Sequence, residues 1–238
     1  MELEALKNKE EQLLLTAQHL LINSAFTTDL GLYHGRMGIV LFLCQYARFS
    51  GNLLYEDFAG ELIDMINEDL TEDMTANIEN GLSGIGWGIE YLVSNRFMSG
   101  NTDDVLTDID ERIMQYDPVR IKDNSFNQGS IGILFYVLTR LNSQNRDSRY
   151  WPFDEDYLNR LYRKAENLLR DETLDSDCMQ IVKSYRNTYA NKQLQDQSLS
   201  LTPFLSFKET KEDELGLING WAGKGFKLLS ENGTTIYF

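Results

Sequence analysis

The sequence has few of the residues that build disulfides, zinc sites or nucleic-acid interfaces. Its 238 residues include two cysteines and two histidines, and its 22 lysines and arginines are outnumbered by 37 aspartates and glutamates. The formal net charge of −15 argues against nucleic acid or an anionic membrane as a partner, because both bind basic surfaces. A well-solvated acidic surface is the ordinary interpretation of this charge, and a cationic peptide is a partner that it permits.

The cysteines and the N-terminal residues indicate the cellular compartment in which the protein is expected. Neither Cys44 nor Cys178 belongs to a CxxC pair, and each lies in an apolar pattern with helical spacing, which predicts two buried free thiols in a reducing compartment. The acidic residues 1–4 lack the basic start of a signal peptide, and no apolar run reaches the roughly 18 residues of a membrane span. We therefore expect a cytoplasmic protein.

The glycines recur as a motif. Residues 31–38 and 216–223 both have the form GLxxGxxG, residues 127–132 keep its GxxG core, and residues 81–88 keep its GL start with different glycine spacing. When Gly35, Gly84, Gly129 and Gly220 are taken as the defining glycines, the intervals are 49, 45 and 91 residues. The last interval is about twice the second, and a period of this size is typical of a repeat architecture.

Apolar periodicity predicts a helix after each motif and an amphipathic helix before it. The position near 175, where a motif is due, is occupied by a helical pattern, so that repeat is expected to have lost its glycines. Residues 234–238 are predicted to be β-prone. The predicted helices span residues 4–22, 37–49 and 53–69, a stretch ending near Val93, a stretch capped by Thr102 or Asp103, a stretch ending near Leu141, a stretch capped by Asp154 and running to Arg170, residues 177–194, and a stretch ending near Leu229.

Alternation of fully buried and half-buried helices predicts an all-α architecture in two layers. The expected fold is an α/α toroid, a double-layered helical barrel or arc of about five hairpins, formed by residues 1–238 as a single domain. GxxG places two positions without side chains one turn apart, which allows a close backbone approach. We expect the free N–H groups at the start of each inner helix to point into a central pit, where a ligand would bind.

Residues 31–225 resemble the lanthionine synthetase C-like (LanC-like) family. The resemblance is carried by the recurrent GxxG motifs, by the stretch GLSGIGWGIEYL at residues 81–92, and by the His34-Gly35 pair. It implies an α/α toroid, of which full members have seven hairpins, so this chain is expected to be a shortened or open version. It also implies that a peptide substrate or a protein of a peptide-modification system is the partner.

The family activity implied is addition of a cysteine thiol to a dehydroamino acid, with zinc lowering the thiol pKa. The family's zinc ligands are a cysteine in one glycine motif and a Cys-His pair before the glycine of another. The matching positions here hold Asn127 and Ile218-Asn219. We therefore expect the zinc site to be lost and no cofactor to be bound, and the question of catalysis stays open.

His34 is the family position that survives, and the resemblance implies an acid or base near the substrate, a role that suits imidazole. A hydrogen-bonded histidine at the mouth of the barrel is the ordinary alternative. Trp87 and Trp221 could line a ligand pocket, and packing in the core or in a turn is the alternative. Arg36 could bind a carboxylate of a ligand, and an ion pair with an acidic residue is the alternative. Glu90 lies one turn into a buried helix, where a carboxylate needs a partner. His19 is expected on the surface. The candidate ligand-binding residues are Tyr33, Arg36, Trp87, Glu90, Asn127, Gln128, Asn219 and Trp221.

Three functions are compatible with these residues. The first is a LanC-like protein that binds a peptide at the glycine-motif end without zinc-dependent cyclase activity. The second is a metal-independent enzyme, such as a glycan-cleaving enzyme, in which Glu90 faces a second carboxylate across the pit. The third is a structural subunit that completes its ring as a homo-oligomer, with the tail from Thr234 as a cap.

Overall fold

The computed structural model describes residues 2–143, 151–192, 204, 211 and 213–231, with the side chains of residues 2–6 excepted. Every regular element in these ranges is helical, which confirms the predicted all-α class. No helix there is long and apolar enough to span a bilayer. The α-helices are α1 (Glu2–Asn23), α2 (Arg36–Ser50), α3 (Leu54–Asp69), α4 (Leu82–Ser94), α5 (Thr102–Met114), α6 (Ser130–Asn142), α7 (Glu155–Leu168), α8 (Ser176–Asn191) and α9 (Trp221–Glu231), and Ser24–Phe26 is a 3-10 turn.

Side-chain caps were predicted for α7 and α5, and the structure confirms the first and corrects the second. The side chain of Asp154 accepts a hydrogen bond from the Tyr157 N–H and caps α7, as predicted. At α5 the cap is Asn101, one residue before the predicted Thr102 and two before Asp103, because its short amide accepts from the Asp103 N–H. The predicted β-prone tail, residues 234–238, lies outside the described residues.

Unit 1 joins the two ends of the chain. It comprises Met1–Met74 and Ser200–Phe238 and contains α1, α2, α3 and α9. Helix α2 is buried over most of its length and packs against α3 and α9, while α1 also packs against α9. The first and last helices of the chain therefore share one core.

Unit 2 comprises Thr75–Leu199 and contains α4 to α8. Helices α4 and α6 are buried over nearly every residue, as their continuous apolar patterns predict, and α4 packs against both α5 and α6. Helix α8 packs against α6 and α7 and buries one side, including Cys178, Val182 and Tyr185. A single domain spanning residues 1–238 stays a prediction.

The helix-opening residues follow a more regular period than the sequence suggested. The residues directly before α2, α4, α6, α8 and α9 are Gly35, Gly81, Gly129, Asp175 and Gly220, at intervals of 46, 48, 46 and 45. Gly84 is therefore the wrong landmark for the second repeat, since it is the third residue of α4. The lost glycine near 175 is replaced by Asp175, whose carboxylate caps α8 by accepting from the N–H groups of Asp177 and Cys178.

A shared hydrogen bond defines the loop before each of the four glycine-opened helices. The first N–H of the helix donates to the carbonyl seven residues earlier: Arg36 to Asp29 at 2.9 Å, Leu82 to Thr75 at 2.8 Å, Ser130 to Asp123 at 3.0 Å and Trp221 to Glu214 at 3.0 Å. These four N–H groups donate to backbone carbonyls of the chain itself, which corrects the expectation that they point free into a pit. We name the loops turn 1 (residues 29–35), turn 2 (75–81), turn 3 (123–129) and turn 4 (214–220).

Glycine precedes α2, α4 and α6 because the same carbonyl passes over it, and at Gly220 before α9 the Gly216 carbonyl lies in that place. A Cβ at Gly35 would lie 2.5 Å from the Asp29 oxygen, one at Gly81 would lie 2.3 Å from the Thr75 oxygen, and one at Gly129 would lie 2.5 Å from the Asp123 oxygen. The obstacle is backbone in each case, so it cannot rotate away. The first glycine of GxxG is therefore a requirement of the capping turn itself.

Candidate functional site at the paired turns

The turns pack in pairs, and the same joint occurs in both units. In unit 1 the Ile218 N–H of turn 4 donates to the Tyr33 carbonyl of turn 1 at 3.0 Å. In unit 2 the Glu79 N–H of turn 2 donates to the Asn127 carbonyl of turn 3 at 3.1 Å. All four residues lie two positions before their glycine cap, so each pair of turns is joined at equivalent places.

The second glycine of GxxG makes room for this joint. A Cβ at Gly38 would lie 2.9 Å from the Leu217 side chain, and a Cβ at Gly132 would lie 2.8 Å from that of Ile78. Leu217 and Ile78 both lie three residues before their own caps, and both are fully buried. Each apolar side chain thus fills the space over the neighbouring repeat's glycine and holds the polar ends of the turns in register.

His34 and Glu214 form the charged centre of the unit 1 pair. The His34 Nδ1 lies 3.5 Å from the Glu214 Oε2, and each side chain keeps about a third of its surface exposed. The Lys211 Nζ lies 3.9 Å from the Glu214 Oε1, and the Lys211 N–H donates to the Asn219 carbonyl at 2.8 Å. An imidazole, a carboxylate and an ammonium group therefore lie together at the surface of unit 1.

Three predicted ligand-binding residues adjoin this centre with different exposure. Tyr33 is buried, and its ring packs edge-on against Phe204. Arg36 is also buried and forms an ion pair with Asp69. Pairing with an acidic residue was the alternative to ligand binding for Arg36. Asn219 is half-buried and has a left-handed backbone conformation with φ of 56°.

Trp221 lies at the first position of α9, between the His19 ring and the Lys224 ammonium group. Its ring stacks on that of His19 with 4.1 Å between centroids, and the Lys224 Nζ lies 4.5 Å from its centroid. Burial and the charge of Lys224 lower the pKa of His19. His19 is therefore a packing partner that joins α1 to α9, which corrects its assignment to the plain surface.

The unit 2 pair presents an exposed amide network. The Gln128 Oε1 accepts from the Asn77 Nδ2 at 2.7 Å, and the Gln128 Nε2 donates to the Glu79 Oε2 at 2.7 Å. Asn127 and Gln128 are exposed, as residues that contact a ligand must be. These hydrogen bonds hold the Gln128 side chain across the joint.

Trp87 and Glu90 belong to the interior, which corrects their assignment to a ligand site. Trp87 has no exposed surface and stacks on Tyr91 and Phe135. Glu90 also has no exposed surface, and its carboxylate accepts from the Arg140 Nη1 at 3.0 Å. The neighbouring helix α6 supplies Arg140 as the partner of Glu90, so the carboxylate does not face an opening.

The same arginine binds a second buried carboxylate. The Asp110 Oδ2 accepts from the Arg140 Nη2 at 2.8 Å and from Nε at 3.0 Å, and Oδ1 accepts from the Tyr136 hydroxyl at 2.6 Å. Burial raises the pKa of Asp110 although Arg140 acts against it. Glu90 does lie near a second carboxylate, but both side chains are buried and bind one arginine, so they are not a pair of open carboxylates facing each other across a pit.

The residues present do not fit the zinc site of the family. The matching positions carry Asn127 and the pair Ile218-Asn219, none of which is a thiolate or an imidazole. Cys44 and Cys178 are free and buried, and burial raises the pKa of each thiol to about 12, which disfavours the thiolate that zinc requires. Within the described ranges, no group of three or more histidine, cysteine, aspartate or glutamate side chains is placed to hold a metal ion.

Three residues of the paired turns were missed by sequence reasoning. Asn80 precedes Gly81 as His34 precedes Gly35, and Glu79 is the equivalent of Tyr33. The pair Gly81 and Gly84 carried the signal, because it has the same GxxG spacing as the other repeats. Glu214 lies six residues before its glycine cap, the place that Asp29 and Asp123 occupy in turns 1 and 3.

Comparison with known families identifies a matching family model. The family model described as lanthionine synthetase C-like protein matches residues 27–202, most of the chain, and no curated protein matches the sequence. The matched range contains turns 1, 2 and 3, and turn 4 repeats their geometry beyond it. The helical structure is consistent with the family's α/α toroid, and the family is associated with peptide modification. This chain therefore belongs to the lanthionine synthetase C-like family.

Proposed function

We propose that this protein binds a peptide segment at the turns that open its buried helices and does so without zinc-dependent thioether formation. The observation that carries the proposal is the joint between turns 1 and 4, which brings His34, Glu214 and Lys211 together at a partly exposed surface. Donors and acceptors of this kind suit the N–H and C=O groups of an extended peptide.

The charge of the protein supports a basic peptide as the preferred ligand. The net charge is −15, and a field of one sign favours the approach of the opposite sign. The donor set supports a role without zinc, because two asparagines and an isoleucine stand where the family has thiolate and imidazole ligands.

Fluorescence anisotropy with short labelled peptides that are acidic, neutral or basic tests the proposal. We expect the basic peptides to bind most tightly, and added salt to weaken them most. The variant His34→Ala should raise Kd by about tenfold, since a lost hydrogen bond to a charged centre costs roughly 1.5 kcal/mol. Glu111→Ala, a change at an exposed residue of α5 in unit 2, should leave Kd unchanged.

Dialysis against EDTA addresses the metal. We expect peptide Kd to be the same before and after dialysis, with zinc far below one ion per chain by elemental analysis. One retained zinc per chain, together with loss of binding after EDTA, would contradict the proposal. Failure of all three peptide classes to bind would contradict it as well.

A further inference from the structure

Glu214 occupies a repeat position at which its side chain does something different from its equivalents. In turns 1 and 3 this position is aspartate, and each carboxylate bonds its own turn. The Asp29 Oδ1 accepts from the Gly31 N–H at 2.7 Å, and the Asp123 Oδ1 accepts from the Ser125 N–H at 2.7 Å. Glutamate is one methylene longer, and the Glu214 carboxylate instead reaches His34 on the neighbouring turn.

The backbone beneath His34 is held by the same turn. Gly216 passes so close that a Cβ there would lie 2.3 Å from the Tyr33 carbonyl oxygen and 2.5 Å from the His34 Cα. The Ile218 N–H donates to that carbonyl at 3.0 Å. Turn 4 thus fixes the main chain at His34 as well as contacting its ring, so the distance between Nδ1 and the carboxylate is set by a packed joint.

We propose that Glu214 is the positioning residue of His34 and keeps the ring proton on Nδ1, so that Nε2 accepts a hydrogen bond from the bound peptide. An ionised carboxylate only accepts hydrogen bonds, so the nitrogen facing it must carry the proton, and the other nitrogen of a neutral imidazole then carries the lone pair. The inference rests on the proposed function for the identity of the ligand, but the tautomer itself is a property of the free protein.

Nitrogen-15 NMR of the imidazole rings tests the positioning without any peptide. The chain has two histidines, so the variant His19→Gln assigns the His34 signals. At a pH where the ring is neutral, we expect the wild type to show a protonated Nδ1 and an unprotonated Nε2. Glu214→Gln should shift the population toward a protonated Nε2, because a glutamine amide can donate to Nδ1.

Two further variants sharpen the test. Glu214→Asp keeps the charge but shortens the side chain, and we expect it to bond the Gly216 N–H, as Asp29 and Asp123 do in their turns, and to release His34. Its His34 tautomer should therefore shift as in Glu214→Gln. Glu111→Gln removes the same charge from an exposed site on α5 and should leave the ring signals as in the wild type.

Peptide binding supplies the second arm. With the basic peptides, Glu214→Gln should raise Kd about fivefold, and the double variant with His34→Ala should bind no worse than His34→Ala alone, because the two residues act as one unit. Unchanged His34 nitrogen shifts in Glu214→Gln would overturn the positioning role. A tautomer shift in a protein that binds none of the peptides would leave the positioning intact and refute the proposed function instead.

Discussion

Arg140 joins three helices of unit 2 through buried charges. Its guanidinium, fully buried, binds Glu90 on α4 and Asp110 on α5 from its own place on α6. It also donates to the Thr102 hydroxyl at 3.1 Å and contacts Asp103 at 3.3 Å. Two buried carboxylates face one buried cation, so removal of the cation leaves both without compensation.

We expect Arg140→Met to lower the free energy of unfolding by about 3–5 kcal/mol, since an uncompensated buried charge is the costly half of a broken ion pair. Arg140→Lys keeps the charge but loses the forked geometry, so its loss should be smaller. Urea unfolding followed by circular dichroism measures both.

Arg120→Met is the matched control. The Arg120 side chain is 88% exposed and its ion pair with Asp117 lies at the surface, where such a pair contributes at most about 1 kcal/mol. If Arg140→Met were as stable as this control, the cluster would not depend on the arginine charge.

The capping turn is the element on which the repeat is built. Its hydrogen bond from the first helical N–H to a carbonyl seven residues earlier recurs in all four turns, and in turns 1, 2 and 3 the glycine before the helix lies directly under that carbonyl. A side chain at this glycine has to push the backbone of the turn away from the helix.

Gly129→Ala should therefore lower the free energy of unfolding by about 3 kcal/mol, because the added Cβ would lie 2.5 Å from the Asp123 carbonyl oxygen and the strain of overpacking has this size. Gly60→Ala is the control. Gly60 lies inside α3 and nothing lies within 4 Å of its added Cβ, so alanine should stabilise the protein by about 0.5–1 kcal/mol. Equal effects of the two changes in urea unfolding would refute the capping role of Gly129.

Sequence periodicity predicted these elements well because a helix that is buried on all sides has an almost continuous run of apolar residues. The helices α2, α4 and α6 were predicted from continuous apolar runs. The register of the second repeat was missed because Gly84 and Gly88 offered competing glycines beside Gly81. The contacts of Glu90 and Glu214 could not be predicted, because their partners Arg140 and His34 are 50 and 180 residues away in the chain and are adjacent only after folding.

At the scale of the whole molecule, the chain begins and ends in the same unit. Helix α9 packs on α1 and α2, and turn 4 joins turn 1 by the hydrogen bond that joins turn 2 to turn 3. The first and last repeats therefore cover one another's apolar sides. This contact removes part of the reason for expecting homo-oligomerisation, which was that apolar ends of an arc need a cover. Oligomerisation itself stays a prediction.

The contact of α9 with α1 and α2 makes α9 a support for helices that begin more than 180 residues earlier in sequence. Phe226 is fully buried and its ring meets that of Phe42 with 5.8 Å between centroids. We expect Phe226→Ala to lower the free energy of unfolding by about 3–5 kcal/mol, the usual loss for a buried phenylalanine. It should also speed amide hydrogen exchange in α1 and α2 as well as in α9. Lys227→Ala changes the next position, which is exposed. It should change the free energy of unfolding by no more than about 0.5 kcal/mol and leave the exchange rates of these helices as in the wild type. Faster exchange confined to α9 would mean that the end of the chain does not support its beginning, and homo-oligomerisation would again be the stronger explanation for how the first helices are covered.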